Sequence, residues 1–197
     1  MRYKAIRYLS LLGLCIQLSA CASSVTPPSR YMLPSENAVS SPNQPIGTLQ
    51  VRAPRLAHYL DVDGIVMQLD DITLIEAREH QWAESIGRQL ERALRAQLSQ
   101  ELTSIQVVHA DGNAPEALTL LLEVDQFQGR HDGRAVTSGQ WQLRGADNNL
   151  LALKSFSAET ELQQDGYPAL VRSLGESWDK VALQIANEIR EGNYFQM

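Results

Sequence analysis

Cysteine is nearly absent from this chain: two in 197 residues, Cys15 and Cys21. Everything from Ala22 onward lacks a thiol, which excludes disulfides, thiolate metal cages and cysteine nucleophiles from the body of the protein. Long apolar runs are missing too. The longest, residues 9–20, is broken by Ser10, Gln17 and Ser19 and falls short of the roughly 20 residues that cross a bilayer. Positive charge is scarce: 17 Lys and Arg against 23 Asp and Glu, a net of −6. Without Arg2, Lys4 and Arg7 the balance becomes 14 against 23, or −9. Such a surface argues against nucleic acid and against charge-driven adhesion to anionic head groups.

Catalytic motifs are equally sparse. There is no G-x-S-x-G elbow, phosphate loop or dinucleotide fingerprint. His58, His80, His109 and His131 stand far apart, none paired at i, i+4 or beside a carboxylate in a ligand spacing. Asp61-Val62-Asp63-Gly64 is faintly like a calcium loop but lacks the sixth-position Gly and the closing Glu, so it reads as a turn. The segment 109–113 reads as another turn. The sequence points to no enzyme.

What is present begins at the N-terminus. Three basic residues precede an apolar run of about a dozen, the pattern of a secretory signal over residues 1–20. The run ends in Leu18-Ser19-Ala20-Cys21, which has the form of a lipobox, with cleavage before Cys21 and acylation of its thiol. The competing reading is an ordinary small-x-small cut through Ala20-Cys21-Ala22, which would discard the cysteine. The lipobox is the better match, because all four residues fall in order at the end of the apolar run. A diacylglycerol and an N-acyl chain on Cys21 would hold firmly, since a single chain binds only marginally. No other cofactor is expected.

From 21 to 47 the composition changes. Five of the eight prolines fall here, among Ser, Thr and Asn. This predicts an extended tether. Arg30-Tyr31-Met32-Leu33-Pro34 interrupts it with large side chains, and is expected to dock on the body as an edge strand that Pro34 ends.

Residues 48–197 read as one domain. Alternation marks strands at 48–52, 65–69 and 72–76, the last two flanking an Asp70-Asp71 turn. Trp82, Ile86, Leu90, Leu94, Leu98 and Leu102 recur every four residues and predict a helix over 81–102. Strands follow at 118–125, 135–144 and 150–161, with turns at Asp132-Gly133 and Asp147-Asn148-Asn149. Pro168 suits a first helical turn, and Leu170, Leu174, Trp178, Val181, Ile185 and Ile189 stripe a closing helix. The expected fold is α+β: an antiparallel sheet with two long amphipathic helices packed on one face. Trp82, Trp141 and Trp178 are expected in the core.

Laid out this way, the chain resembles the ABC-type transport auxiliary lipoprotein family. The pieces that match are the lipobox, Tyr31-Met32-Leu33-Pro34, Tyr59-Leu60-Asp61 leading into Ile65-Val66, and Gln81-Trp82-Ala83-Glu84. Ala57 departs from a frequent Pro, and Val62-Asp63-Gly64 replaces a more usual Arg-Pro pair. The resemblance implies a non-catalytic subunit of an MCE (mammalian-cell-entry) and ABC-type intermembrane lipid transport system. It would dock a periplasm-spanning MCE-domain partner, itself joined to inner-membrane components, and support envelope integrity. It implies anchoring at the periplasmic face of the outer membrane, since no Asp follows Cys21. A homo-oligomeric ring around the partner's end is left open. Tyr59, Leu60, Asp61 and Trp82 are the motif positions that would lie near a partner surface. The alternative is a stand-alone periplasmic lipid- or glycan-binding lipoprotein, which would need a cavity between sheet and helices.

Overall fold

A computed structural model describes residues 27–34, 42–110, 114 and 116–195. The leader, the lipobox Leu18 to Cys21, about half of the tether (21–26 and 35–41) and the 111–113 turn lie outside the described residues.

One strand organises the sheet. Leu118–Arg130 (called β7 here, counting along the chain) is 13 residues long. On one edge it pairs antiparallel along its whole length with β8, Arg134–Arg144, which pairs antiparallel with β9, Leu150–Glu161. The other edge takes three short strands end to end, all parallel to it: β2 (Gly47–Val51), β3 (Arg55–Leu56) and β4 (Gly64–Gln68). The chain from 47 to 68 therefore runs alongside β7 in the same direction. Beyond β2 lies β6 (Ile105–His109), parallel to it. Beyond β4 lies β5 (Leu74–Trp82), antiparallel, and then β1 (Ser29–Tyr31), parallel to β5.

The α+β class stands, but the sheet is mixed rather than antiparallel. The strand periodicity that marked these segments carries no information on direction. Parallel pairs need a long crossover, and the excursion through β5, the first helix and β6 separates β2–β4 from β7.

That helix, α1, spans Ile86–Glu101, and α2 spans Tyr167–Gly192. Ile86, Leu90, Leu94 and Leu98 of α1, and Leu170, Leu174, Trp178, Val181, Ile185 and Ile189 of α2, are all buried, as the fourfold spacing predicts. Gly166 (φ 96°) turns the chain into α2, where Pro168 sits in the first turn, and Asn193 closes it in the left-handed region. The expected docking of the tether is met: β1 lies on the sheet edge, ending at Tyr31 rather than at Pro34.

Two expectations need correction. Trp82 is the last residue of β5, not the head of a helix. Its fourfold spacing to Ile86 is a coincidence of two elements that both face the core, with Ser85 at the break between them. His109, expected to open a turn, ends a strand, β6, to which the sequence reading assigned nothing; Ile105 and Val107 face inward and Gln106 outward.

Candidate functional site

The tether segment is bound by more than strand pairing. Tyr31 pairs with Trp82 in register, and the Ala83 N–H donates to the Tyr31 carbonyl at 2.7 Å. The Tyr31 hydroxyl lies 2.8 Å from His80 Nδ1, and the His80 ring stacks on Tyr167 at 4.0 Å. Burial, with Tyr31 adding to it, pushes the Tyr167 phenol above its ordinary pKa. Two residues on, the Leu33 N–H donates to Gln89 Oε1 at 2.7 Å, while Gln89 Nε2 donates to the Glu84 carbonyl at 3.0 Å. Gln89 is buried, so its amide is fixed by these partners, and Leu33 joins the core. Pro34 then lies over Gly175 of α2, where an added Cβ would come 3.0 Å from the proline Cδ. Residues 29–34 thus touch β5, α1 and α2. The sequence reading foresaw the docking but not Gln89, His80 or Tyr167, whose roles depend on tertiary contacts with no local signature.

The second family segment forms a single 3-10 turn, His58–Leu60, followed by Asp61. Leu60 enters the core, whereas Tyr59 is half-buried and Asp61 exposed. The Tyr59 hydroxyl donates to the Asp125 carbonyl at 2.6 Å and has Gln128 Oε1 2.8 Å away. That carbonyl is available because β7 bulges between Val124 and Gln126, leaving Asp125 out of the ladder with β8. Opposite the bulge stands Gly139. A Cβ there would meet the Glu123 carbonyl oxygen at 2.0 Å, so no other residue fits. Burial, and secondarily the Asp125 charge, raise the Tyr59 pKa above that of a free phenol.

Trp82 faces inward and begins an aromatic chain: it packs on Phe127, Phe127 on Trp178, and Trp178 on Phe156, each pair 6.2 Å apart. Trp178 is wholly buried, and its indole N–H donates to the Leu90 carbonyl at 2.9 Å, joining α2 to α1. Of the four motif positions, Leu60 and Trp82 are therefore packing residues. Tyr59 and Asp61 reach the surface, and Tyr59 braces the same stretch of β7 that Phe127 occupies.

The space between sheet and helices is filled by these side chains and by Leu90, Leu94, Leu122 and Leu174. The grooves observed open outward instead. One of about 370 Å³ on the sheet gathers Arg52, Arg55 and Arg144 around Glu123, Gln140 and Gln142. Another of about 710 Å³ lies beside Ile46, Thr48, Glu116, Leu151, Tyr194 and Phe195. Among the described residues no group of three or more His, Cys, Asp or Glu is placed to hold a metal ion, and no helix is long and apolar enough to cross a membrane.

The fold and the docked N-terminal segment define a compact α+β domain that receives its own tether on the sheet edge and across both helices. Residues 31–186 match the model of the ABC-type transport auxiliary lipoprotein component, and the chain belongs to that family. It is 32% identical over 179 residues to the intermembrane transport lipoprotein PqiC of Escherichia coli K12, covering 88% of this chain and 92% of the relative. The Shigella flexneri PqiC matches equally well. Among solved structures, one uncharacterized protein superposes with a TM-score of 0.73 at 30% identity, over 83% of this chain and 99% of that one. A Xanthomonas campestris protein shares the fold with a TM-score of 0.67 at 17% identity, over 83% and 96% of the two chains.

Proposed function

We propose that this protein is a non-catalytic lipoprotein subunit of an MCE and ABC-type intermembrane lipid transport system. It is anchored at the periplasmic face of the outer membrane through acylated Cys21 and docks the end of a periplasm-spanning MCE-domain partner there. The observation that carries the reading is the similarity to PqiC, a protein named for intermembrane transport, along nearly the whole of both chains. Two physical features support it. The leader ends in a lipobox, and the tether behind it is seated on the domain through Tyr31 and Leu33, so an anchor at Cys21 would hold the body close to the membrane. The space where a stand-alone carrier would keep its ligand is occupied by Trp178, Phe127 and the leucines of both helices.

The reading is tested by capture of the predicted MCE-domain partner on an immobilised chain beginning at Ala22, which keeps β1 and Leu33. Saturable binding at micromolar concentration is expected, and no complex would count against docking. Sedimentation of the same sample alone and with the partner tells whether copies assemble into a ring around it.

A further inference from the structure

The end of the β4–β5 hairpin carries an apolar patch that the fold leaves uncovered. Ile72 is 87% exposed, Leu69 49%, Ile75 41% and Leu74 40%. Leu74 and Ile75 point to opposite faces of β5, yet both are exposed, so neither face is covered at this end of the ribbon, although β4 is still paired with β7 there at Met67 and Gln68. The tip is nevertheless a built turn. The Leu69 N–H donates to the Thr73 carbonyl at 2.9 Å, and Asp70 Oδ1 accepts from the Ile72 and Thr73 N–H groups at 2.9 and 2.7 Å. Ile72 is thus held outward by a fixed loop.

The docked tether says what such a tip would meet. Because β1 runs parallel to β5 with Ser29 opposite His80, the chain ahead of Ser29 departs toward the Leu74 end, where the tip is. Eight residues of ribbon separate His80 from Ile72, six of them strand that rises about 20 Å and the last two in the turn just beyond. Eight residues also separate Cys21 from Ser29, and even fully extended they span only about 28 Å. A membrane holding Cys21 therefore cannot lie much farther from the body than the tip does.

We propose that the Leu69–Ile75 tip is a second membrane contact, inserting shallowly into a zwitterionic phospholipid surface beside the lipid anchor; this rests on the reading of Cys21 as acylated. Glu76, Arg78 and Glu79 are exposed just behind the tip and limit its depth to the interface. Asp70 and Asp71 keep carboxylates at head-group level, so anionic lipid weakens the contact.

The test uses the lipidated mature chain, in which Ile72→Cys adds the sole free thiol. Ile72 is so exposed that the change disturbs no packing. An environment-sensitive dye at position 72 is compared with one at Leu150→Cys, 51% exposed and beside Arg144 at the opposite end of β8. Both proteins are reconstituted in vesicles of phosphatidylethanolamine and phosphatidylcholine, with and without phosphatidylglycerol. The expected result is a several-fold loss of iodide quenching at 72 and strong quenching by acyl-chain nitroxide lipids, less marked with phosphatidylglycerol, and no change at 150. Equal iodide access at 72 and 150, or shielding of 72 only when a protein partner is added, overturns the proposal. The mass of the N-terminal peptide in the same sample separates the two ideas. An acylated peptide with a water-exposed label sinks the tip alone, whereas an unacylated peptide sinks the anchor and the tip together.

Discussion

The indole of Trp178 donates its only hydrogen bond to the backbone carbonyl of Leu90, 2.9 Å away and 88 positions earlier in the chain. Both residues are fully buried, so this bond fixes the register of α2 against α1 with no solvent to replace it. Trp178→Phe keeps most of the ring contact with Phe127 and Phe156 but loses the donor and leaves a small void. The expected loss is about 2 kcal/mol. Urea unfolding followed by far-ultraviolet circular dichroism measures it, and an unchanged midpoint would show that the helices do not depend on this contact.

The tether's seat turns on Gln89. Gln89→Ala leaves the Leu33 N–H buried without its acceptor, at a cost of about 1–3 kcal/mol. Because the segment is otherwise held by a three-residue strand at the sheet edge, local release precedes global unfolding. Hydrogen exchange at Leu33 and at Ala83, which donates to the Tyr31 carbonyl, rises well above that at the β7 amides. Uniform exchange across the domain would mean that the segment is not a separate unit.

Gly139 makes the sharpest packing prediction. In Gly139→Ala the new methyl overlaps the Glu123 carbonyl oxygen and comes within 2.9 Å of Phe156. Backbone cannot rotate away as a side chain would, so the loss reaches or exceeds the upper end of the about 1–3 kcal/mol usual for overpacking. Thermal melts compare it with Gly133→Ala, where a Cβ meets nothing within 4 Å and the cost comes only from the positive φ of 78°.

Tyr59 gives the pH dependence. Its folded pKa is raised above 10 by burial first and by Asp125 second, so the neutral phenol is the form the fold prefers. The corresponding stability is fully present below the ordinary phenol pKa and is lost as pH rises through the folded value. Wild-type stability should be flat from pH 7 to 9 on this account and fall above about 10. Tyr59→Phe starts about 1 kcal/mol lower, having lost the bond to the Asp125 carbonyl, and shows a shallower alkaline fall. Parallel alkaline curves for the two proteins would assign the effect to other groups.

Much of this was readable in advance, and the reasons are local. The stripe from Ile86 to Leu98 and the one from Leu170 to Ile189 each repeat at the helical period, and both helices formed where the stripes lay. Turn residues at Asp132-Gly133 and Asp147-Asn148-Asn149 set the ends of β8. Pairing direction was not legible, because Val51 or Met67 alternates identically in a parallel or antiparallel ladder. Trp82 was misassigned because one apolar residue serves a strand and a helix spacing equally well. The short β6 was missed because Ile105 and Val107 follow directly on α1, with no break strong enough to mark a new element. At the candidate site, the large side chains of Tyr31 and Leu33 betrayed a docking segment, but Gln89 looked like any helix polar residue. Nor did the strand pattern over 72–76 reveal that Ile72 would fall in the turn and that both faces of the hairpin end would be left uncovered.

The central claim is an acylated subunit at the outer membrane, and Cys21 tests it most directly. Wild-type and Cys21→Ser proteins, expressed from the same promoter, are labelled with radioactive palmitate and separated by density-gradient fractionation of the membranes. The account predicts labelled wild-type protein in the outer-membrane fraction, and unlabelled but folded Cys21→Ser released to the soluble periplasm. A Cys21→Ser protein that still takes up palmitate and still sediments with the outer membrane would contradict it.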